Sequence, residues 1–180
     1  MQKQIQKIKT DGVKVSDKLL RIHIVQPIKR KNETCYIYRI LAEEKIPVLF
    51  LTLDRKDGDI CTSCCVDIEH EARVRAIIES EAILKDHTSF TPDVGLLSMF
   101  PHHSQFEVLG VSLHALGKAN LLILDFSSSL ATLSFVLKYT HLKRALTALS
   151  EFLVFPADSA HLLSTIRVSQ AYPLNQTLTS

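Results

Sequence analysis

Apolar and polar residues alternate along short stretches of the first half of the chain, and this pattern predicts strands. The clearest stretch is Ile22–Gln26, where Ile22 and Ile24 fall on one face. Strands predicted at 22–26, 46–53, 60–66 and 82–90 are joined by two predicted helices, so the order is βαββαβ. The helices are marked by apolar residues at helical spacing: Ile37, Ile40 and Leu41 in the first, and Val74, Ile77 and Ile78 in the second.

The second half of the chain repeats this order. Strands are predicted at 94–100, 120–126, 130–137 and near 153–160, although Pro156 makes 161–168 an alternative for the last one. The helices between them are marked by Phe106, Leu109, Leu113 and Leu116, and by Leu142, Ala145, Leu146 and Leu149.

The two copies align with one small shift. Ile46 corresponds to Ala119 at a separation of 73 residues, and His70 corresponds to His141 at a separation of 71. The difference falls in a hairpin turn, where a duplicated unit tolerates a change of length. We therefore predict a lead-in segment (1–19), a first unit (20–91), a second unit (92–168) and a flexible tail (169–180).

A βαββαβ unit of this size is typical of the ferredoxin-like fold. The predicted fold class is α+β, with two such units, each an antiparallel four-stranded sheet with both helices on one face. The other face and the sheet edges stay open, which favours pairing with a second copy. A chain that is 46% hydrophobic and 22% charged can bury a core of this kind.

Charge is spread unevenly over the two halves. Residues 1–90 carry 16 Lys and Arg and 14 Asp and Glu, whereas residues 91–180 carry only 5 and 5. We therefore expect a homodimer in which the second unit is central and the first unit faces solvent. The net charge of +2 disfavours a nucleic-acid partner. Without a long apolar run or an N-terminal signal pattern, we expect no membrane partner and a cytoplasmic location.

Cysteine and histidine provide the candidates for metal chemistry. Cys61 and Cys64 have C-x-x-C spacing, but on the predicted strand Cys61 shares a face with Cys65 while Cys64 points to the other face. Buried, reduced thiols are therefore the preferred interpretation, and no metal or cofactor is expected. The adjacent His102 and His103 leave open a metal site, a pH-sensitive pair or an enzyme of unknown type.

The second unit contains the stretch Asn120-Leu-Leu-Ile-Leu-Asp-Phe-Ser-Ser-Ser-Leu-Ala-Thr-Leu-Ser-Phe-Val136. It resembles the second strand, serine-rich turn and third strand of the ACT domains at the C-terminus of aspartate kinases. Phe106–Ala119 is similar to the first helix of that family, and Gly12–Leu20 is similar to the segment that introduces its regulatory region. The resemblance covers roughly residues 12–155 and is strongest in the second unit.

This resemblance implies a site for an amino acid at interfaces between ACT units. In the second unit it assigns the loop after the first strand, the start of the second strand and the serine turn: His102, His103, Ser104, Gln105, Asn120, Leu121, Ser127, Ser128 and Ser129. In the first unit it assigns the loop containing Lys29 and Asn32, and the strand start at Pro47 and Val48.

The chain also departs from the family pattern. Both loops lack the usual glycines, and Leu130 stands where an acidic residue often follows the serine turn, which disfavours a basic effector. We expect no room for a kinase domain in 180 residues, and hence no enzyme activity. The predicted function is a non-catalytic regulatory module that binds an amino acid and acts allosterically on a partner, for which a biosynthetic enzyme is the candidate. The alternative is a structural or partner-binding ACT module with no ligand.

Overall fold

A computed structural model describes residues 7–27, 36–100, 106–129 and 131–156. The strands are β1 Ile8–Lys9, β2 Gly12–Val15, β3 Leu19–Pro27, β4 Phe50–Lys56, β5 Asp59–Asp67, β6 Thr88–Phe100, β7 Asp125–Ser128, β8 Leu133–Lys138 and β9 Leu153–Val154. The α-helices are α1 Tyr36–Glu43, α2 Glu71–Ser80, α3 Ala82–Lys85, α4 Phe106–Lys118 and α5 Leu142–Ser150. Short 3-10 turns at Ile68–His70 and Tyr139–His141 precede α2 and α5.

The two units share one strand. Seven strands form a continuous sheet in the order β4-β5-β3-β6-β8-β7, with β2 also paired to β6. The first part of β6 pairs with β3 and closes the first unit, and its last part pairs with β8 and β2 in the second unit. Residues 91 and 92, between which the sequence divides the units, lie inside this strand.

The lead-in segment belongs to the second unit. Gly12–Val15 pairs antiparallel with Phe100–Leu97, so β2 lies where a closing fourth strand is expected. The short strand β9 instead pairs in parallel with β1, outside the main sheet. The expectation that the strand near 153–160 closes the second sheet is therefore wrong for Leu153–Val154, while 157–160 and the alternative at 161–168 lie outside the described residues.

Each unit has its own core on the side of the sheet that carries its helices. In the first unit, Ile37 and Leu41 of α1 pack together with α2 against β3 and β5. In the second unit, α4 and α5 pack against β6, β8 and β2. The α+β, ferredoxin-like prediction is confirmed, because both helices of each unit cover the same face.

The helix-free faces of the two units are not bare. A third apolar cluster joins them and consists of Leu19, Phe50, Cys65, Val94 and Val136. The sheet therefore turns back on itself around β6, and β4 and β7, at its two ends, lie against each other. Packing between the units of one chain thus covers part of the surface that the sequence suggested for a second copy.

Three strand predictions need correction. The segment predicted as a strand at 82–90 begins with helix α3, and the strand starts only at Thr88. The strands predicted at 46–53 and 120–126 start later, at Phe50 and Asp125. In both cases the chain first leaves a helix and crosses to the sheet edge, so its apolar residues are extended before ladder pairing begins.

The helix ends also correct the alignment of the two copies. Lys45 and Asn120 both have positive φ, at 55° and 50°, and each lies two residues after the end of a helix, α1 or α4. They correspond at a separation of 75 residues, not the predicted 73, whereas the separation at His70 and His141 is 71. The second hairpin is therefore four residues shorter: β4 and β5 pair as far as Lys56 and Asp59, but β7 ends at Ser128.

Candidate functional site

Asn120 and Leu121 end helix α4. The Asn120 amide donates to the Gly117 carbonyl at 2.8 Å, and the Leu121 amide donates to the Leu116 carbonyl at 3.0 Å. These bonds, with positive φ at Asn120, form a Schellman cap, for which asparagine is well suited. Leu121 is the buried apolar residue that follows the cap. Helix termination therefore accounts for both residues without a ligand.

The serines divide between a strand and a turn. Ser127 and Ser128 lie in β7, opposite Ser134 and Leu133 of β8. Ser129 forms the turn, where its amide donates to the Thr132 carbonyl at 2.8 Å. The predicted turn of three serines is thus wrong for the first two of them. The remaining candidates, His102, His103, Ser104, Gln105, Lys29 and Asn32, lie outside the described residues.

Pro47 and Val48 line a cavity of about 500 Å³ between the two units. The first unit contributes the crossing segment from Pro47 to Phe50, the last residue of β5, Asp67, and the turn that follows it, at Glu69 and His70. The second unit contributes its helix-free face, at Leu96, Ser98, Phe100, Thr132 and Ser134. This volume is within the range of small-molecule sites.

The link between β2 and β3 forms the remaining wall of the cavity, from Lys14 to Asp17 and at Leu19. Ser16 fixes this link, because its amide donates to the Leu96 carbonyl at 2.9 Å and its hydroxyl accepts from the Leu96 amide at 2.9 Å. The cavity is therefore bounded by both units and by the segment that connects their strands.

Polar groups line the cavity in two places. On its floor, the hydroxyls of Ser98 and Ser134 share a hydrogen bond of 2.8 Å. Lys14 lies opposite Ser98 in the sheet, with its ammonium 5.5 Å from the centre of the Phe100 ring. At the first unit, Asp67 accepts a hydrogen bond of 2.9 Å from the Glu69 amide and so caps the 3-10 turn.

The two units also meet at a second place, which the repeat makes equivalent to the cavity. There an ion pair links them. Arg21 of β3 binds the carboxylate of Asp125 at the start of β7 through two guanidinium nitrogens. The Ser63 hydroxyl donates to the same carboxylate at 2.7 Å. The side chains of Arg21 and Asp125 are only 13% and 15% exposed. We call this the clamped junction and the one with the cavity the open junction.

Burial and positive charge act on the titratable groups beside the clamped junction. Burial and the Arg21 guanidinium lower the pKa of His23, which keeps this histidine neutral. Burial raises the pKa of the Cys64 thiol to about 12 and also raises the pKa of Cys65. Both thiols therefore stay protonated at neutral pH, a form that is neither nucleophilic nor metal-binding.

The strand register confirms the predicted orientation of the cysteines. Cys61 and Cys65 face the same side as Val25 and Arg21, and Cys64 faces the helices with Ile22. Over the described ranges, no group of three or more His, Cys, Asp or Glu side chains is placed to hold a metal ion.

Sequence reasoning missed most of this site. Lys14 and Asp17 fall in the predicted lead-in segment, and Asp67 has no predicted role. The available signal was the presence of Ser98 and Ser134 within otherwise apolar strands, where they are only 7% and 8% exposed. Buried hydroxyls on facing strands indicate a polar contact or a site.

Comparison with known proteins gives matches of structure. No protein-family model matches the sequence, and no curated protein is significantly similar to it in sequence. The ligand-free regulatory subunit of aspartate kinase from Thermus thermophilus is similar in structure, with 16% identity and a TM-score of 0.69. That match covers 79% of this chain and 97% of that chain.

Two complete aspartate kinases are similar over part of their length. The enzyme from Clostridium acetobutylicum has 15% identity and a TM-score of 0.64, over 84% of this chain and 36% of that chain. Aspartokinase III from E. coli, in complex with lysine and aspartate, has 12% identity and a TM-score of 0.59, over 83% of this chain and 34% of that chain. No helix in the described part of this chain is long and apolar enough to cross a membrane. The chain has the ACT-like fold of aspartate kinase regulatory domains, as the resemblance of its second unit implied.

Proposed function

We propose that this chain is a non-catalytic regulatory module that binds an amino acid in the open junction and passes the signal to a partner enzyme. The observation that carries the proposal is a cavity of about 500 Å³ bounded by both ACT units and lined by charges of both signs. A zwitterion suits such a lining, because its two charged groups need opposite partners. The fold supports the same function, since similar structures are regulatory subunits and domains.

The position of the cavity explains how binding acts at a distance. A ligand there contacts Pro47 and Asp67 of the first unit and Ser98 of the second at the same time. It therefore favours whichever relative position of the units closes around it. The clamped junction holds the units together on the other side of their interface. A small movement of one unit relative to the other would therefore have its pivot at the clamped junction.

A regulatory module needs a partner that reads this movement. We propose a homodimer and a biosynthetic enzyme as the partners, in the cytoplasm. The second unit offers exposed apolar side chains for this contact: Phe126 on β7 is 49% exposed, and Leu122, ahead of that strand, is 68% exposed. If the second unit is central to the dimer, Phe126→Lys should lower the molecular mass in sedimentation, whereas Leu53→Lys on β4 should leave it unchanged.

The alternative, a module with no ligand, has one specific observation in its favour. Asn120 and Leu121, which the resemblance assigned to ligand binding, already serve to end α4. Thermal melting against the twenty amino acids separates the two functions. An amino acid at 100 times its dissociation constant adds about 2.7 kcal/mol of stability. If none raises the melting temperature at millimolar concentration, the ligand-free module is the better description.

A further inference from the structure

We infer that the outer face of helix α5, in the second unit, is a docking surface for an acidic segment of a protein partner. The surface is an open groove of about 520 Å³ that is lined by Ala119, Thr140, Lys143, Arg144 and Thr147 and ends at Glu151. We call it the basic groove. The inference rests on the proposed function, because it gives the chemistry by which the partner enzyme is recognised.

Two adjacent cations in the basic groove have no carboxylate partner within the described parts of the chain. Lys143 and Arg144 lie in the first turn of α5, and both are exposed. The guanidinium of Arg144 donates a hydrogen bond to the carbonyl of Ala119, which leaves its charge unbalanced. Glu151, at the end of the groove, pairs with Lys118 at 3.1 Å. Both cations are therefore available to an anionic group from outside the chain.

The equivalent surface of the first unit has balanced charges. Arg73 of α2 binds the carboxylate of Glu44, which follows α1. Arg75 pairs at 2.7 Å with Glu71, one helical turn earlier. Each of these two guanidinium groups thus has a carboxylate partner within its own unit. The fold of the repeat does not require an excess of positive charge on this face.

The second unit has lost the carboxylates of this face but not the cations. Arg144 corresponds to an arginine of the first unit, whereas Ala119 stands where the first unit has the carboxylate that binds it. Lys143 adds a cation, because its counterpart is Ala72. Residues 91–180 carry only 5 Lys and Arg, and three of them, with Lys118, lie in or beside the groove. Positive charge is therefore concentrated on this face of a unit that has few charges elsewhere.

The position of these cations is unfavourable in the free protein. The first turn of a helix is the positive end of its dipole, where acidic side chains are favoured and basic ones are not. Glu71 follows this rule in the first turn of α2, whereas the first turn of α5 has no acidic residue. Acidic groups bound in the groove would remove the repulsion. A surface that lowers the stability of the free chain is typical of a binding site.

The hydrogen-bonding groups of the groove favour a peptide over a nucleic acid. The Thr147 hydroxyl donates to the Lys143 carbonyl at 3.1 Å, so its oxygen is left to accept from a peptide N–H group. Phosphate groups have no such donor, and the carboxylate of Glu151 would repel a continuing line of phosphates. Lys143 and Glu151 are eight residues apart, about 12 Å along a helix, which about four residues of extended peptide can span.

The inference is tested by fluorescence anisotropy with the full chain and a labelled hexaglutamate peptide at low salt. The double variant Lys143→Glu, Arg144→Gln should weaken peptide binding about tenfold or more, since it removes two charge-assisted contacts. Glutamine at 144 can still donate to the Ala119 carbonyl. The matched control is Arg55→Gln, Lys56→Glu, which makes the same change to two adjacent exposed cations of the first unit. Equal weakening in both variants, or in neither, would overturn the inference.

A second measurement separates docking from a role in the fold. Lys143→Glu alone should raise the melting temperature of the free protein by about 2 °C while it weakens peptide binding, because it places an acid in the first turn of α5. A lower melting temperature would assign Lys143 to the fold and contradict the inference. Tighter binding of a six-nucleotide single-stranded DNA than of hexaglutamate would assign the groove to nucleic acid and would also contradict it.

The amino-acid panel separates this inference from the proposed ligand. If hexaglutamate binds in the basic groove but no amino acid raises the melting temperature, the docking surface stands and the amino-acid ligand is wrong. If an amino acid raises the melting temperature but hexaglutamate does not bind, the docking surface is wrong and the regulatory function stands. If neither binds, both are refuted.

Discussion

The open and clamped junctions occupy equivalent positions in the two repeats, yet their chemistry is opposite. The open junction contains Phe50 of the first unit and Leu96 and Ser134 of the second. In the clamped junction the units exchange places: the equivalent residues are Asp125 of the second unit and Arg21 and Ser63 of the first. Each pair of equivalent residues obeys the separations of 75 or 71. The two junctions therefore differ at two positions. Phe50 and Leu96 form an apolar wall beside a cavity, whereas the equivalent Asp125 and Arg21 form a buried ion pair.

This comparison shows how a duplicated unit acquires two roles. Two identical units would give two identical junctions, because the helix-free faces meet around a pseudo-twofold arrangement. The pair of Arg21 and Asp125 fixes one junction with directional bonds. Phe50 and Leu96 make only non-directional contacts, so space remains for a ligand beside them.

The largest effect is expected from breaking the clamp. Asp125→Ala leaves the guanidinium of Arg21 and the hydroxyl of Ser63 without their acceptor in a poorly hydrated place. Removal of one partner from a buried ion pair costs about 3 kcal/mol or more. We expect a loss of this size in the free energy of unfolding, measured by urea denaturation.

A double variant provides the matched control for the clamp. Arg21→Leu with Asp125→Phe gives the clamped junction the side chains of the open one. Replacement of both partners by apolar groups is often close to neutral, so most of the lost stability should return. A double variant less stable than Asp125→Ala would show that the two junctions differ in backbone geometry as well as in side chains.

A second comparison concerns the cores of the two units. Leu20 of the first unit corresponds to Gly95 of the second, and Glu71 corresponds to Leu142. A Cβ at Gly95 would collide with the Leu142 side chain and lie 3.2 Å from Tyr139. We expect Gly95→Ala to cost about 2 kcal/mol, as overpacked cores do. Leu142→Ala alone removes a buried side chain and is also costly, so relief of the collision is measured as non-additivity in urea denaturation: the double variant should lose less stability than the sum of the two single losses. Additive losses would place the strain elsewhere.

Local patterns predicted the elements that depend on neighbouring residues. The faces of α1 and α5 are buried at the predicted apolar positions, including Ile37 and Leu146. Asp57 and Gly58 form the turn between β4 and β5, with φ of 53° and 87°. Positive φ at both positions is typical of a two-residue hairpin turn, and glycine adopts it without steric cost.

The site was harder to predict because it depends on long-range pairing. Val15 lies opposite Leu97, which is 82 residues later, and nothing in the four residues of β2 indicates that partner. Lys14 enters the cavity only through this pairing. Asn120 shows the opposite difficulty: resemblance indicated a ligand contact, whereas a local signal, asparagine after a helix, indicated a cap.

The smallest effect is a change of thiol reactivity, and it reports directly on the open junction. Cys65 packs beside Phe50 between the units, whereas Cys64 belongs to the core of the first unit. Thiol reagents attack the thiolate, so the raised pKa values protect both residues while the fold is closed.

In a Cys35→Ser, Cys61→Ser background, we expect slow labelling at about pH 8, followed by mass spectrometry of the modified peptides. Asp125→Ala should accelerate labelling of Cys65 more than labelling of Cys64, because loosening of the junction exposes only the former. A ligand in the cavity should slow Cys65 again, since it holds the units together. Equal acceleration of both thiols would mean that the first unit unfolds as a whole, and the junctions would then not move independently of the cores.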